Sequence, residues 1–207
     1  MIETVLVLPS PRALLPSLSV DDPVPELRAA CAAAIGRMLS EHPDRIVVVA
    51  APVSPQNQAR GVTVPLGHRV ARHLLGTRSF EAQVALPYTA AALLEDPRPT
   101  TLLIMADGSA SRGEKAPGHL HPDAVAFDDR IDAALRSGDV DVLAAIDQEQ
   151  ATELWCDGAP GFHVLAEVAR GRRIETEVSY ADAPYGVAWW VARWDLGPGD
   201  LAQRPDS

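Results

Sequence analysis

The sequence predicts a single α/β domain with a central, mainly parallel sheet flanked by helices. Three observations predict it. Leu102–Met105 is a short apolar run that changes at once into Asp107-Gly108-Ser109-Ala110-Ser111-Arg112-Gly113-Glu114-Lys115, a loop dense in charge, hydroxyls and glycine. Beyond it, Pro122 and Asp123 open a segment in which Val125, Phe127, Ile131, Ala134 and Leu135 recur at helical spacing, with Gly138 placed to end it. Ile46-Val47-Val48-Val49 is a β-branched run without alternation, the pattern of a strand covered on both faces. A strand that delivers a polar loop and then a helix is how open α/β sheets present chemistry at the carboxyl ends of their strands.

In chain order, Thr4 to Leu8 is an apolar run ended by Pro9, a first buried strand followed directly by Ser10-Pro11-Arg12. Leu27, Ala30, Cys31, Ala34, Ile35, Met38 and Leu39 form the stripe of an amphipathic helix over residues 26–39. Its acidic lead-in, Asp21, Asp22 and Glu26, suits the positive end of the helix. The strand at Ile46 to Val49 runs into a polar loop, Ala51-Pro52-Val53-Ser54-Pro55-Gln56-Asn57. Val62 to Val64 reads as a short strand, Val70 to Leu75 as a short helix ended by Gly76, and Tyr88 to Leu94 as another before the Pro97-Arg98-Pro99 break. After the 125–135 helix, residues 140–146, 148–155 and 162–168 read as helices, with Gly158-Ala159-Pro160-Gly161 separating the last two. Ile174 to Tyr180 and Val187 to Trp194 read as strands flanking a turn at 181–186, with tryptophans on both faces of the second. Residues 1–196 are expected to form the domain and 197–207 a loose, polar tail.

At 207 residues and 22.1 kDa the chain suits one domain that buries about 70% of its unfolded surface. A hydrophobic fraction of 47% and a charged fraction of 22% are those of a soluble globular protein. The formal net charge of -10 argues against nucleic acid or an anionic membrane as partner, since both are bound by accumulated positive charge. A small molecule or another protein is the expected partner. Cys31 and Cys156 form no CxxC pair, and both are expected as buried thiols on helices rather than as a disulfide or zinc site. The opening residues carry no basic cluster and their apolar run is soon broken by proline, so no signal peptide is expected and the cytoplasm is the expected compartment.

The segment Asp107 to Asp147, together with Tyr180-Ala181-Asp182-Ala183-Pro184-Tyr185-Gly186-Val187, resembles the class III extradiol dioxygenase family. The likeness is to its subunit-B-like branch, which also contains the MEMO proteins. In that branch a strand ends in a Gly-Asp-Leu-Ser-His-like loop, followed by Ala-Pro, a Phe-Asp helix, a Gly-Asp turn, an Ile-Asp pair and a Tyr-Glu-Gly-Pro-Phe-Gly-Val-like hairpin. The counterparts here are Asp107 to Arg112, Ala116-Pro117, Phe127-Asp128, Gly138-Asp139, Ile146-Asp147 and the turn at Tyr180. The order extends over roughly half the chain.

The resemblance implies a non-haem Fe(II) held by two histidines and a carboxylate, with a further histidine as acid and base. This sequence departs from the pattern at each of those places. The usual Pro-His-Pro loop resembles Pro9-Ser10-Pro11, and the usual Ser-Pro-His resembles Ser54-Pro55-Gln56. The acid/base histidine is replaced near Ser111-Arg112, and the final carboxylate falls near Ala181, with Asp182 beside it. A serine hydroxyl and a glutamine amide are poor iron ligands, and arginine does not shuttle protons near neutral pH. No cofactor is therefore expected. Fe(II) enters only if the ligands are rebuilt from His68, His119, His121 and Asp182, or with Asp107 beside the His119-Leu120-His121 pair.

If the fold is right, Ser10, Arg12, Gln56, Asn57, Asp107, Ser109, Ser111, Arg112, Lys115 and Asp182 converge at one end of the sheet. Cations, hydroxyls and amides beside glycine-rich backbone suit a carboxylate or phosphate. The plainer reading is that Arg112 pairs with Glu114 or Asp107 and fixes the loop. The functional expectation is a protein that binds a small anionic compound without iron, with Arg112, Ser111 and His121 as the groups for any chemistry on it. A non-catalytic subunit bound to a partner protein, or to a second copy in a homo-oligomer, is the alternative. Ser109 to Gly113 lacks the first glycine of a nucleophile elbow, and Gly158 to Gly161 lacks the Lys-Ser/Thr ending of a phosphate loop.

Overall fold

The computed structural model describes residues 1–16 and 21–199. Its frame is one six-stranded sheet in the order β3-β2-β4-β1-β6-β5. The strands are β1 (Ile2–Leu8), β2 (Ile46–Ala50), β3 (Glu81–Val84), β4 (Thr100–Met105), β5 (Arg172–Asp182) and β6 (Trp189–Gly199). The first four run parallel to one another, and β6 joins β1 antiparallel, with β5 as the far edge. The helices are α1 (Pro25–Ser40), α2 (Pro55–Ala59), α3 (Leu66–Leu75), α4 (Thr89–Glu95), α5 (Ala124–Ser137), α6 (Val140–Ala144), α7 (Gln148–Glu153) and α8 (Ala159–Ala169).

The apolar runs lack alternation because both faces of the central strands are covered. Val5 and Val7, Val47 and Val49, Leu102 and Ile104 point into one core with α4, α5 and α8. Leu6 and Leu8, Val48, Leu103 and Met105 point into the other with α1 and α3. The period of two along a strand thus divides one continuous apolar run between two cores. β6 follows the same rule, with Trp190 and Trp194 on the first side and Trp189 on the second. The indole N–H of Trp194 donates to Leu135 O at 2.9 Å, so its polar edge is satisfied inside the core.

The connections set the place of the site. α1 after β1 and α3 after β2 cover one face, whereas α5 after β4 covers the other. On either side of β4, the chain therefore leaves neighbouring strands toward opposite faces, which opens a crevice at their carboxyl ends.

Several expectations are corrected. Val62 to Val64 form no strand; the fourth parallel strand is β3, whose sequence EAQV has no apolar run because it is an exposed edge held by backbone pairing to β2. Pro55 and Gln56 lie in α2 rather than in a loop, with Ser54 as its N-cap. Val125 is 44% exposed and does not belong to the buried stripe of α5. Cys156 is a buried free thiol as expected but sits in the turn between α7 and α8 rather than on a helix. Ala159, Pro160 and Gly161 do not separate two helices but open α8, with Pro160 in the first turn where its missing N–H costs nothing. Residues 197–199 complete β6 instead of starting a tail, and 200–207 lie outside the described residues.

Candidate functional site

The loops after β1, β2 and β4 surround a cleft of about 260 Å³ lined by Ser10, Arg12, Asn57, Arg69, Asp107 and Asp157, among others. Pro9 follows the last residue of β1, and Arg12, which is exposed and lines the cleft, begins a single 3-10 turn. α3 closes the cleft from the side. It approaches the strand ends closely because residue 67 is glycine, where a Cβ would lie 2.7 Å from the Met105 Cβ and 2.8 Å from the Ala50 Cβ.

Asp107 stands two residues past the end of β4. Its carboxylate accepts two bonds from one residue, from the Ser10 backbone N–H at 3.0 Å and from the Ser10 hydroxyl at 2.7 Å. Burial pushes the carboxyl up to about 6, against the lowering effect of those two bonds, and the nearby Asp157 carboxylate pushes the same way. Asp157 is raised by its surroundings too. The cleft therefore holds a carboxyl group able to carry a proton near pH 6, with a second acid beside it. The backbone behind it is tightly constrained. Gly158 N–H donates to Asp107 O at 3.1 Å, and a Cβ on Gly158 would lie 2.1 Å from that oxygen.

Past Asp107 the chain turns to the other face of the sheet. Ser109 repeats the arrangement of Ser10 with a different acid: its N–H donates to Asp128 Oδ1 at 2.8 Å and its hydroxyl to Asp128 Oδ2 at 2.6 Å. Asp128 is 1% exposed, and burial pushes its carboxyl up to about 6. Arg112 Nε lies 3.9 Å from Asp128 Oδ2. Arg112, Asp128 and Asp182 line a second cleft, of about 490 Å³, floored by Trp190. The loop is sewn to the β5–β6 turn by Gly108 N–H to Ala188 O, Ala188 N–H to Ser109 O and Arg112 N–H to Gly186 O, at 2.8–3.0 Å.

The expected single cluster is thus two. Ser10, Arg12, Asn57 and Asp107 share the first cleft, and Arg112 and Asp182 share the second. Ser109 and Ser111 line neither, because both are fully buried; the Ser111 hydroxyl donates to Leu154 O at 3.1 Å. Gln56 and Lys115 are exposed at the surface. Arg112 pairs with neither Glu114 nor Asp107 but with Asp128, since its backbone is held on the far side of the loop. Arg69, Asp157 and Asp128 were not expected at the site. Asp128 had a legible signal: it lies four residues after Ala124 and three before Ile131, both buried, so an acid occupies the apolar stripe of α5.

The histidines do not come together. His68 is buried on α3, its Nε2 2.9 Å from the Gln83 carbonyl, and it therefore donates there. His121 Nδ1 accepts from the Asp123 N–H at 3.3 Å, and His119 is exposed with φ 59°. Among the described residues no group of three histidine, cysteine or acidic side chains is arranged to hold a metal ion. The Ser10 hydroxyl is committed to Asp107, and Gln56 is exposed.

No protein-family model matches the chain, and no match was found among curated proteins. Among solved structures, an uncharacterized protein from Escherichia coli K12 is similar, with a TM-score of 0.52 and 12% identity over 93% of this chain and 99% of that one. The likeness extends over nearly the whole of both chains, and it is a likeness of fold: an α/β domain built on one mixed sheet with helices on both faces.

Proposed function

We propose that this chain is a divergent member of the extradiol dioxygenase subunit-B-like superfamily whose iron site has given way to a metal-independent site for a small anionic molecule. The ligand sits in the cleft at the carboxyl ends of β1, β2 and β4. The observation that carries this reading is the pair of guanidinium groups, Arg12 and Arg69, which line the cleft and make no ion pair among the described residues. A guanidinium presents parallel N–H donors that match a carboxylate or phosphate, and it is weakly hydrated enough to be used in a cleft. Asn57 adds an amide. Asp107 takes the proton-carrying role that the sequence alone assigned to His121, since its carboxyl holds a proton up to about pH 6 and faces the same space. A protonated Asp107 donates to a ligand oxygen; an ionised one selects ligands that bring a hydroxyl donor.

The test is thermal unfolding with inorganic phosphate, citrate and 4-hydroxybenzoate at fixed ionic strength. A ligand bound only by the native state adds about 2.7 kcal/mol at 100 times its Kd. At least one anion raises the Tm, and the Arg12→Ala/Arg69→Ala double variant loses that rise. No stabilisation by any anion, or a rise that survives the double substitution, overturns the reading. About one iron per chain after anaerobic incubation with Fe(II) would return the protein to iron-dependent ring cleavage.

A further inference from the structure

We infer a second binding site, for a small apolar amine, in the cavity enclosed by the β3–α4 turn, α6, α7 and α8. The cavity has a volume of about 460 Å³, within the range of small-molecule pockets, and lies on the α8 side of the sheet, away from both clefts described above. Leu86, Pro87, Ala90 and Val164 supply its apolar walls, and Gln148, His163 and Glu167 its polar groups.

The hydrogen bonds already made determine what those polar groups can still accept. His163 Nε2 lies 2.9 Å from the Ile146 carbonyl, which has no proton to give, so Nε2 carries the ring proton and donates it there. Nδ1 is then the acceptor, and it takes the Gln148 side-chain N–H at 3.1 Å, which fixes the orientation of that amide. Both imidazole nitrogens are spent, and the Gln148 amide nitrogen is engaged. The Gln148 carbonyl oxygen, its second amide hydrogen and the Glu167 carboxylate are what is left, two acceptors and one neutral donor. Arg170 divides its guanidinium between Glu167 at 3.2 Å and Asp141 at 2.9 Å, and of these three only Glu167 lines the cavity. Apolar walls with the Gln148 carbonyl and the Glu167 carboxylate as acceptors select an apolar body bearing an ammonium group. A carboxylate of the same shape meets the like charge of Glu167, with only one amide N–H of Gln148 to offset it.

The probes are 2-phenylethylamine, 2-phenylethanol and phenylacetate, followed by methyl NMR of Ala90 and Val164 in the full chain. The amine is expected to give saturable shifts of both methyls in the millimolar range, the alcohol weaker ones and phenylacetate the weakest. Glu167 is an exposed rim charge, so Glu167→Gln lowers amine affinity by about three- to fivefold and leaves the alcohol unchanged. Ala144→Trp, placed on the cavity wall, abolishes the shifts. Equal binding of amine and phenylacetate, a loss of alcohol binding in Glu167→Gln, or no saturable shift at either methyl overturns the assignment. The wild-type methyl titration decides the case even if the tryptophan variant fails to fold.

Discussion

Replacing Asp128 by asparagine isolates the buried acid that holds the central loop. In the native chain Asp128 accepts both polar hydrogens of Ser109, yet burial outweighs those bonds and raises its carboxyl from 3.8 to about 6. Between about pH 4 and 6 the folded protein holds a proton that the unfolded chain has released, so stability falls as pH rises through that window. Above it the penalty is constant, and below it both states are protonated and the penalty is absent. The interval from 3.8 to about 6, at about 1.4 kcal/mol per pH unit, amounts to about 3 kcal/mol for this residue. Asparagine has nothing to ionise. Its carbonyl accepts the Ser109 N–H, and the serine hydroxyl turns to accept from its amide. Urea unfolding across pH 4 to 7.5 is therefore expected to show the variant gaining on the wild type by about 3 kcal/mol as pH rises. Asp107 has the same sign, so the variant keeps part of the original pH dependence. Asp128→Ala is the control. It lacks the ionisable group too, so its difference from the wild type shifts with pH by the same amount, but it orphans two buried donors and lies roughly 2–5 kcal/mol below the asparagine variant at every pH, with an unchanged m value. A variant-minus-wild-type difference that stays flat with pH would refute the argument, since burial would then not be what raises this carboxyl.

Three further outcomes follow from the same geometry. Arg12→Ala and Arg69→Ala should each weaken binding of the best anion by about tenfold or more, read by calorimetry, because each removes a charge-assisted bond of about 1.5–3 kcal/mol. Gly158→Ala drives a Cβ to within 2.1 Å of the Asp107 carbonyl oxygen, a backbone atom, and should cost roughly 1–3 kcal/mol in chemical denaturation, whereas Gly36→Ala, which meets nothing within 4 Å, should not destabilise. Burial pushes the Cys31 thiol up to about 12 and raises Cys156 as well, so a thiol reagent should label native protein near neutral pH only at the rate of global opening.

Much of the frame was legible in the chain because burial on two faces writes itself as continuous apolar runs. β1, β2 and β4 were readable from Thr4 to Leu8, Ile46 to Val49 and Leu102 to Met105, and α1 and α5 from stripes at helical spacing. β3 was not, since an edge strand needs only backbone partners and its four residues show no pattern. Gly158 to Gly161 read as a loop because proline and glycine usually interrupt helices, yet proline is at home in a first turn, and Gly158 is required by the approach of α8 to Asp107.

The site was legible in kind but not in arrangement. Strand, loop and helix in that order admit little else than polar loops gathered at the carboxyl ends of the parallel strands, so this much follows from residue order. Which loop side chains share a space was decided by tertiary structure. Ser10 and Ser109 are alike in sequence, each beside a strand end, and each spends its N–H and hydroxyl on a different aspartate on opposite sides of the loop. Arg112 follows Ser109 toward Asp128, while Arg12 and Arg69 come from elements 57 residues apart to line the other cleft. Pairing of this kind depends on where the backbone turns after Ala106, and no local pattern of residue types encodes that direction; it is set by the close contacts of Gly108 with Trp190 and of Gly158 with Asp107.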